Sequence, residues 1–192
     1  PHPIPRRQRQ MCIRDSQWKG TIEAGSSYDG IVANIDLAPT LMDLAGAEKP
    51  PDYMVDGVSF VPVIHGSSKP IRNVLFGELG HSRAVKSKEW KYIAVRYPEE
   101  VQRKIDEGKS FKGFQGEVLE LPYLTRNGHL GHHAARHNPY YFEADQLYDL
   151  QRDPEETKNV ITQNPEVAER LKVDLAKALK QFENRPFGEF TE

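Results

Sequence analysis

Histidine is dense in one part of this chain, where His129, His132, His133 and His137 stand with Arg126 and Arg136. Neighbouring imidazoles can hold zinc, but a structural zinc site wants four fixed ligands with hydrogen-bonding partners behind them. No acid or cysteine lies inside the cluster, and its glycines do not build a helical pair. The other two readings are a loop lining a substrate cleft and plain loop packing, and no metal site is expected. The tail Asn138-Pro-Tyr-Tyr-Phe142 adds aromatic faces that can stack on a sugar or anchor the loop on a sheet. A second polar group, His81, Ser82 and Arg83, follows Gly80 at an expected strand turn. The planar fork of arginine suits bidentate binding of sulfate or carboxylate, and the alternative is an ion pair with Glu78. Asp149, Asp153, Glu155 and Glu156 carry oxygens of the kind a cation binds, yet their positions mark them as turn and cap residues. Cys12 is the only cysteine, which excludes an internal disulfide and a cysteine metal cluster.

The frame that must position these groups is modest. At 192 residues the chain can bury one sizeable core, or a core with an appendage. Apolar residues make up 38% and mean hydropathy is -0.68, low for a self-contained domain but above the range of disorder. A formal charge of -2 offers no basic surplus, so nucleic acid is not an expected partner. No apolar run approaches the roughly 18 residues of a membrane span.

Residues 1–17 combine Pro1, Pro3 and Pro5 with Arg6, Arg7 and Arg9 and show no apolar period. Met11-Cys-Ile-Arg-Asp-Ser16 resembles a translated adapter remnant, so this stretch is read as a non-native or disordered lead. Ile31 to Ile35 reads as a buried strand. Asp36 then offers a cap to a helix with Leu37, Leu41 and Leu44 on one stripe, stopped at Gly46. Asp56-Gly57 makes a turn, and Ser59 to Ile64 one helical turn ended by His65-Gly66. Val74 to Glu78, Arg83 to Val85 and Trp90 to Val95 predict an antiparallel meander that turns at Lys88-Glu89. Pro98 to Asp106 predicts a short helix, and 108–145 a long loop of the functional kind. Leu147, Tyr148 and Leu150 predict a further strand, followed by a helix start at Asp153-Pro-Glu-Glu156. Asn164-Pro165-Glu166 opens the strongest helix, with Val167, Leu171, Leu175, Leu179 and Phe182 along one face.

Four of these segments together resemble the sulfatases of the alkaline-phosphatase-like superfamily. Asn34-Ile-Asp-Leu-Ala-Pro-Thr-Leu-Met-Asp-Leu-Ala-Gly46 is similar to a helix near the end of their large domain, and Asp56-Gly-Val-Ser-Phe-Val-Pro-Val-Ile-His-Gly66 to the segment after it. Arg83-Ala-Val-Lys-Ser-Lys-Glu-Trp-Lys-Tyr-Ile93 resembles the strand pair opening their C-terminal domain, and Leu147 to Asn159 its closing signature. The four occur in the family's order between Trp18 and Phe182.

The resemblance implies an α/β fold: the end of a large domain over 18–66, and a small C-terminal subdomain over 67–192 whose antiparallel sheet is packed by a helix. It also implies a sulfuric ester hydrolase working at calcium, with a formylglycine nucleophile made in a Cys/Ser-x-Pro/Ala-x-Arg motif. A divalent cation and basic side chains would stabilise the sulfuryl oxygens as the ester breaks. Cys12-Ile-Arg-Asp-Ser16 lacks that motif, and the calcium ligands would precede Trp18. Trp18-Lys-Gly-Thr-Ile-Glu-Ala-Gly25 is similar to a non-catalytic Trp-Pro-Gly-x-Ile-x-x-Gly segment, in preference to the active-site lysine segment that Lys19-Gly-Thr21 would otherwise suggest. The expectation is therefore the C-terminal part of a sulfatase, lacking its N-terminal domain, inactive alone and without catalytic residues or metal ligands. Its substrate would be a small-molecule or carbohydrate sulfate ester, met by His81, Arg83, His129, His132 and His133. Periplasmic or extracellular placement would suit the family. A stand-alone module for acidic glycans and a phosphodiester or phosphonate hydrolase are the alternatives.

Overall fold

The computed structural model describes residues 16–48, 55–79, 81–97, 99, 103, 140, 141 and 143–181. The chain divides into two compact units, Pro1–Ile71 and Arg72–Glu192.

In the first unit helix α1 spans Leu37–Ala45 and ends where Gly46 takes φ +63°, a left-handed conformation that glycine adopts without strain. The amides of Gly46 and Ala47 return to Asp43 and Met42, satisfying carbonyls of the last turn. The strand expected at Ile31–Ile35 does not form. Asn34–Asp36 is instead a short 3-10 turn, and the Ala33 N–H donates to the Asp36 carboxylate at 2.7 Å, a partner within the turn itself. Asp36 does not cap α1 with its side chain. Fully buried, it also accepts the Val58 N–H at 2.9 Å, while Thr40 donates its hydroxyl to the Asp36 carbonyl and accepts the Phe60 N–H. The 56–60 segment is thereby sewn to the start of α1. A Cβ on Gly57 would lie 2.0 Å from the Ile35 carbonyl oxygen, so only glycine allows this approach. Helix α2 (Val61–Ile64) follows as expected. The Tyr28 hydroxyl donates to the Lys69 carbonyl and accepts the Ile71 N–H, which holds 69–71 to this unit.

The second unit is a four-stranded antiparallel sheet in the order β1 (Leu75–Leu79), β2 (Ser82–Lys86), β3 (Trp90–Val95), β4 (Asp145–Asp149). The expected meander is present. Ser87 closes its second turn, its hydroxyl oxygen accepting the N–H groups of Glu89 and Trp90. Register places Phe76, Val85, Tyr92 and Leu147 in one row across the sheet. Helix α3 (Pro165–Lys180) lays Ala168, Leu171 and Leu175 on that row to form the core. Each fully buried leucine or valine contributes about 1.5–3 kcal/mol by leaving water.

Asp153–Glu156 is a turn and not the expected helix start. Asp153 accepts the Thr157 hydroxyl and the Lys158 N–H, and Glu156 takes φ +56°, which ends any helical path. Asn164 starts α3 through its backbone: its carbonyl accepts the Ala168 N–H, while its side chain donates to the Val160 carbonyl. Apart from Glu99 and Arg103, the helix expected at Pro98–Asp106 lies outside the described residues, as does most of the long loop.

Candidate functional site

One end of the sheet gathers the polar side chains. The β1–β2 turn brings His81 there, the end of β3 brings Arg96 and Tyr97, and the start of β4 brings Asp145. The long connection between β3 and β4 leaves and rejoins the sheet at this same end, so the His129, His132 and His133 segment is tethered to it. Those three histidines, with His137, Arg126 and Arg136, lie outside the described residues.

His81 is half-buried and sets its imidazole edgewise against the Tyr97 ring, with centroids 5.8 Å apart. Its carbonyl accepts the Arg96 N–H, which ties the turn to the end of β3. Burial, and then the charge of Arg83, push the imidazole below its ordinary value, so the uncharged form is favoured.

Arg83 is only 6% exposed. Register pairs it with Glu78 on β1 and Ala94 on β3, on the sheet face that α3 covers. Its guanidinium meets the Glu78 carboxylate at 3.1 Å. The ion pair offered as the alternative at the sequence level therefore exists, and it is cross-strand and largely buried on the arginine side. His81 and Arg83 are neighbours in the fold with different surroundings.

Next to them Asp145 accepts the Tyr92 hydroxyl at 2.7 Å and Arg96 at 2.9 Å. Burial alone would raise the Asp145 carboxyl. The hydrogen bonds from Tyr92 and Arg96 and the charges of Arg96 and Lys172 outweigh it and hold the group below the usual carboxylate range. Arg96 also donates to the carbonyls of Val95 and Ala144, which fixes the point where the chain re-enters the sheet.

Asn159 is the hub that sequence reading passed over. Its carbonyl oxygen accepts the N–H groups of Leu147 and Ile161, and its amide donates to Glu143 and to the Asp145 carbonyl. All four of its hydrogen-bonding sites are in use. The available signal was its place closing the Leu147–Asn159 run. The Tyr92–Asp145 contact had no such signal, because it depends on strand register across a long connection.

The acids Asp149, Asp153 and Glu156 serve turns and an ion pair. Asp149 accepts the amides of Gln151 and Arg152, and Glu156 meets Lys91 at 2.6 Å. Lys19 lies on an exposed turn of the first unit. Among the described residues no three His, Cys, Asp or Glu side chains are placed to hold a metal ion, and no helix is long and apolar enough to cross a membrane.

Residues 11–107, just over half of the chain, match the family described as N-sulphoglucosamine sulphohydrolase, C-terminal. The chain belongs to this sulfatase family. Among curated relatives of this sulfatase chain, an ulvan-active sulfatase of Formosa agariphila is 28% identical over 178 residues, covering 86% of this chain and 32% of the relative. Arylsulfatase A of Bos taurus is 31% identical over 170 residues, covering 86% of this chain and 28% of the relative. The chain thus spans about a third or less of the length of these relatives. The solved structure of BT4656 in complex with its substrate D-glucosamine-2-N,6-O-disulfate shares the fold, with a TM-score of 0.55 and 20% identity over 87% of this chain and 28% of that one. The alkaline-phosphatase/sulfatase-like α/β class and the small antiparallel sheet with its packing helix agree with this kinship.

Proposed function

We propose that this chain works as part of a sulfatase, a sulfuric ester hydrolase, shaping one wall of the substrate cleft and hydrolysing nothing by itself. The observation that carries the reading is the family match together with its partial span: the relatives are sulfatases, and the chain covers 28–32% of two of them. Calcium and formylglycine belong to the same proposal. Neither would be supplied by the described residues. The kinship favours this reading over a stand-alone glycan-binding module or a phosphodiester hydrolase.

The substrate proposed is a sulfated carbohydrate. Support comes from the sugar substrates named for the relatives and from the composition of the sheet end, where the His81 imidazole and the Tyr97 ring lie together. His81, Arg83 and the loop bearing His129, His132 and His133 are the proposed substrate-facing groups. In this reading 18–66 completes the large domain and 67–192 forms the C-terminal subdomain. The first unit bears Trp18, Ile35, Leu37, Leu41 and Val58 as exposed apolar side chains, a surface suited to packing against the rest of such a domain.

The test has two arms. The purified chain, given calcium and an aryl sulfate, should release no sulfate above the blank; calcium-dependent release would overturn the inactivity. Exchanged for the matching part of the ulvan-active sulfatase, it should support sulfate release, and a folded but inert chimera would count against the shared role.

A further inference from the structure

His81 stands just before β2 and Tyr97 just after β3, at a sheet end where strands open most readily. The register of β2 and β3 runs to Ser82 opposite Val95, and one step further out the Arg96 N–H donates to the His81 carbonyl at 2.9 Å. The next residue, Tyr97, sets its ring edgewise against the imidazole, with centroids 5.8 Å apart. His81 is thus held by its carbonyl and by its ring on two consecutive residues. Those residues are held in turn by the Arg96 side chain. One guanidinium nitrogen donates to the carbonyls of Val95 and Ala144 at 3.0 and 2.7 Å, and the other to the Asp145 carboxylate at 2.9 Å. We propose that Arg96 is a positioning residue for His81: its side chain anchors the end of β3 on the start of β4, and its backbone and the adjoining Tyr97 pass that fixed geometry to the imidazole. This rests on the substrate-facing reading of His81 and names the group that aims it.

The anchor is built from both strands. The Val95 N–H donates at 2.8 Å to the same Ala144 carbonyl that receives the guanidinium, so backbone and side chain of adjacent residues converge on one acceptor. Its far side is fixed as well. The Tyr92 hydroxyl donates to the Asp145 oxygen that Arg96 binds, at 2.7 Å, and the Asn159 amide donates to the Asp145 carbonyl at 3.1 Å. A planar guanidinium presents its N–H groups in a rigid fork that suits several acceptors in one fixed arrangement, and its bond to a carboxylate is charge-assisted. A backbone hydrogen bond at a strand end opens easily by itself. With the guanidinium laid across that end, releasing His81 from Arg96 means loosening the contacts to Ala144 and Asp145 too.

The experiment is amide hydrogen exchange and NMR on the full chain, with the His81 signals assigned through His81→Asn. In Arg96→Met, which keeps the aliphatic stem, the amide of residue 96 should exchange about tenfold faster, and the Overhauser contact between the rings of His81 and Tyr97 should weaken. The amides of Ser87 and Leu150, bonded to Trp90 and Glu89 at the other end of the sheet, should exchange as in the parent. Parent-like exchange at residue 96 with the ring contact intact would overturn the positioning role. Equal acceleration at Ser87 and Leu150 would overturn it too, because that is the mark of a general loss of stability. Should Arg96→Met fail to fold, Arg96→Lys keeps the charge but offers one nitrogen to three acceptors, and the same local change is expected. In the sulfatase chimera, Arg96→Met should raise KM about tenfold while kcat stays within about twofold, and in a His81→Ala background it should add nothing. Additive effects of the two substitutions would count against the proposal. Failure of the underlying reading looks different: His81→Ala in the chimera would leave KM unchanged while the exchange results stood.

Discussion

The buried carboxylate of Asp36 accepts a hydrogen bond from the backbone N–H of Val58, twenty-two residues away, at 2.9 Å. With the Ala33 N–H on its other oxygen, it joins the 34–46 and 56–66 segments, each of which resembles a sulfatase segment. Asp36→Asn replaces one acceptor with a donor facing an N–H. Hydrogen bonds to a charged group are worth about 1.5–3 kcal/mol each, so a loss of that size is expected in urea unfolding of the first unit. Gly57→Ala should cost at least as much, because its Cβ would meet the Ile35 carbonyl. Parent-like midpoints for both variants would show that this join is dispensable.

Glu156 pays for its left-handed backbone with the Lys91 ion pair. The conformation costs an L-residue about 1–2 kcal/mol, and a partly exposed pair returns about 0.2–1 kcal/mol. Glu156→Ala keeps the strain and loses the pair, so it should be less stable than the parent. Glu156→Gly loses the pair but also the strain, and should be the more stable of the two variants. Denaturant midpoints decide the order, and glycine falling below alanine would refute it.

Acid should act on the second unit through Asp145. Its folded value lies below its unfolded one, near 3.9. It therefore contributes stability above about pH 4 that is lost as pH falls through the folded value. Asp145→Asn removes this contribution. The parent Tm should drop more steeply than the variant Tm between about pH 5 and pH 2. Parallel acid limbs would show that the Tyr92–Arg96–Asp145 cluster does not set the pH response.

Leu37 and Leu41 project from α1 with 48% and 63% exposure. Replacing them by Lys and Glu should change stability by less than about 0.5 kcal/mol while reducing dye binding and aggregation of the isolated chain. In the sulfatase chimera the same pair of substitutions should lower the yield of active protein. A large loss of stability in the isolated chain would mean that these leucines already have a packing partner.

Local chemistry made much of the fold legible. Gly46 marked the end of α1, Asn164-Pro165 the start of α3, and the alternation in Trp90 to Val95 a strand. The misses share a cause. Ile31 to Ile35 has strand composition, but its Ala33 N–H is taken by Asp36 three residues on, and that competition is not visible in apolar content. Asp153-Pro-Glu-Glu156 has the residues of a helix start, yet the Asp153 carboxylate is spent on Thr157 and Lys158. His81 and Arg83 could be picked out as a polar pair at a turn. That one is ion-paired beneath α3 and the other rests on Tyr97 follows from register and helix placement, which no short window of sequence carries.

Asn159 also bears on how this protein resists ageing. Its amide donates to Glu143 and to the Asp145 carbonyl. Deamidation to aspartate would exchange those two donors for a charged oxygen and set it against the Glu143 carboxylate. A change of one mass unit would then repel the re-entering chain from the join between β4 and the approach to α3. The nitrogen that would start that reaction belongs to Val160, a β-branched residue whose N–H is held by the Leu147 carbonyl at 2.9 Å, so the fold shields the amide it depends on.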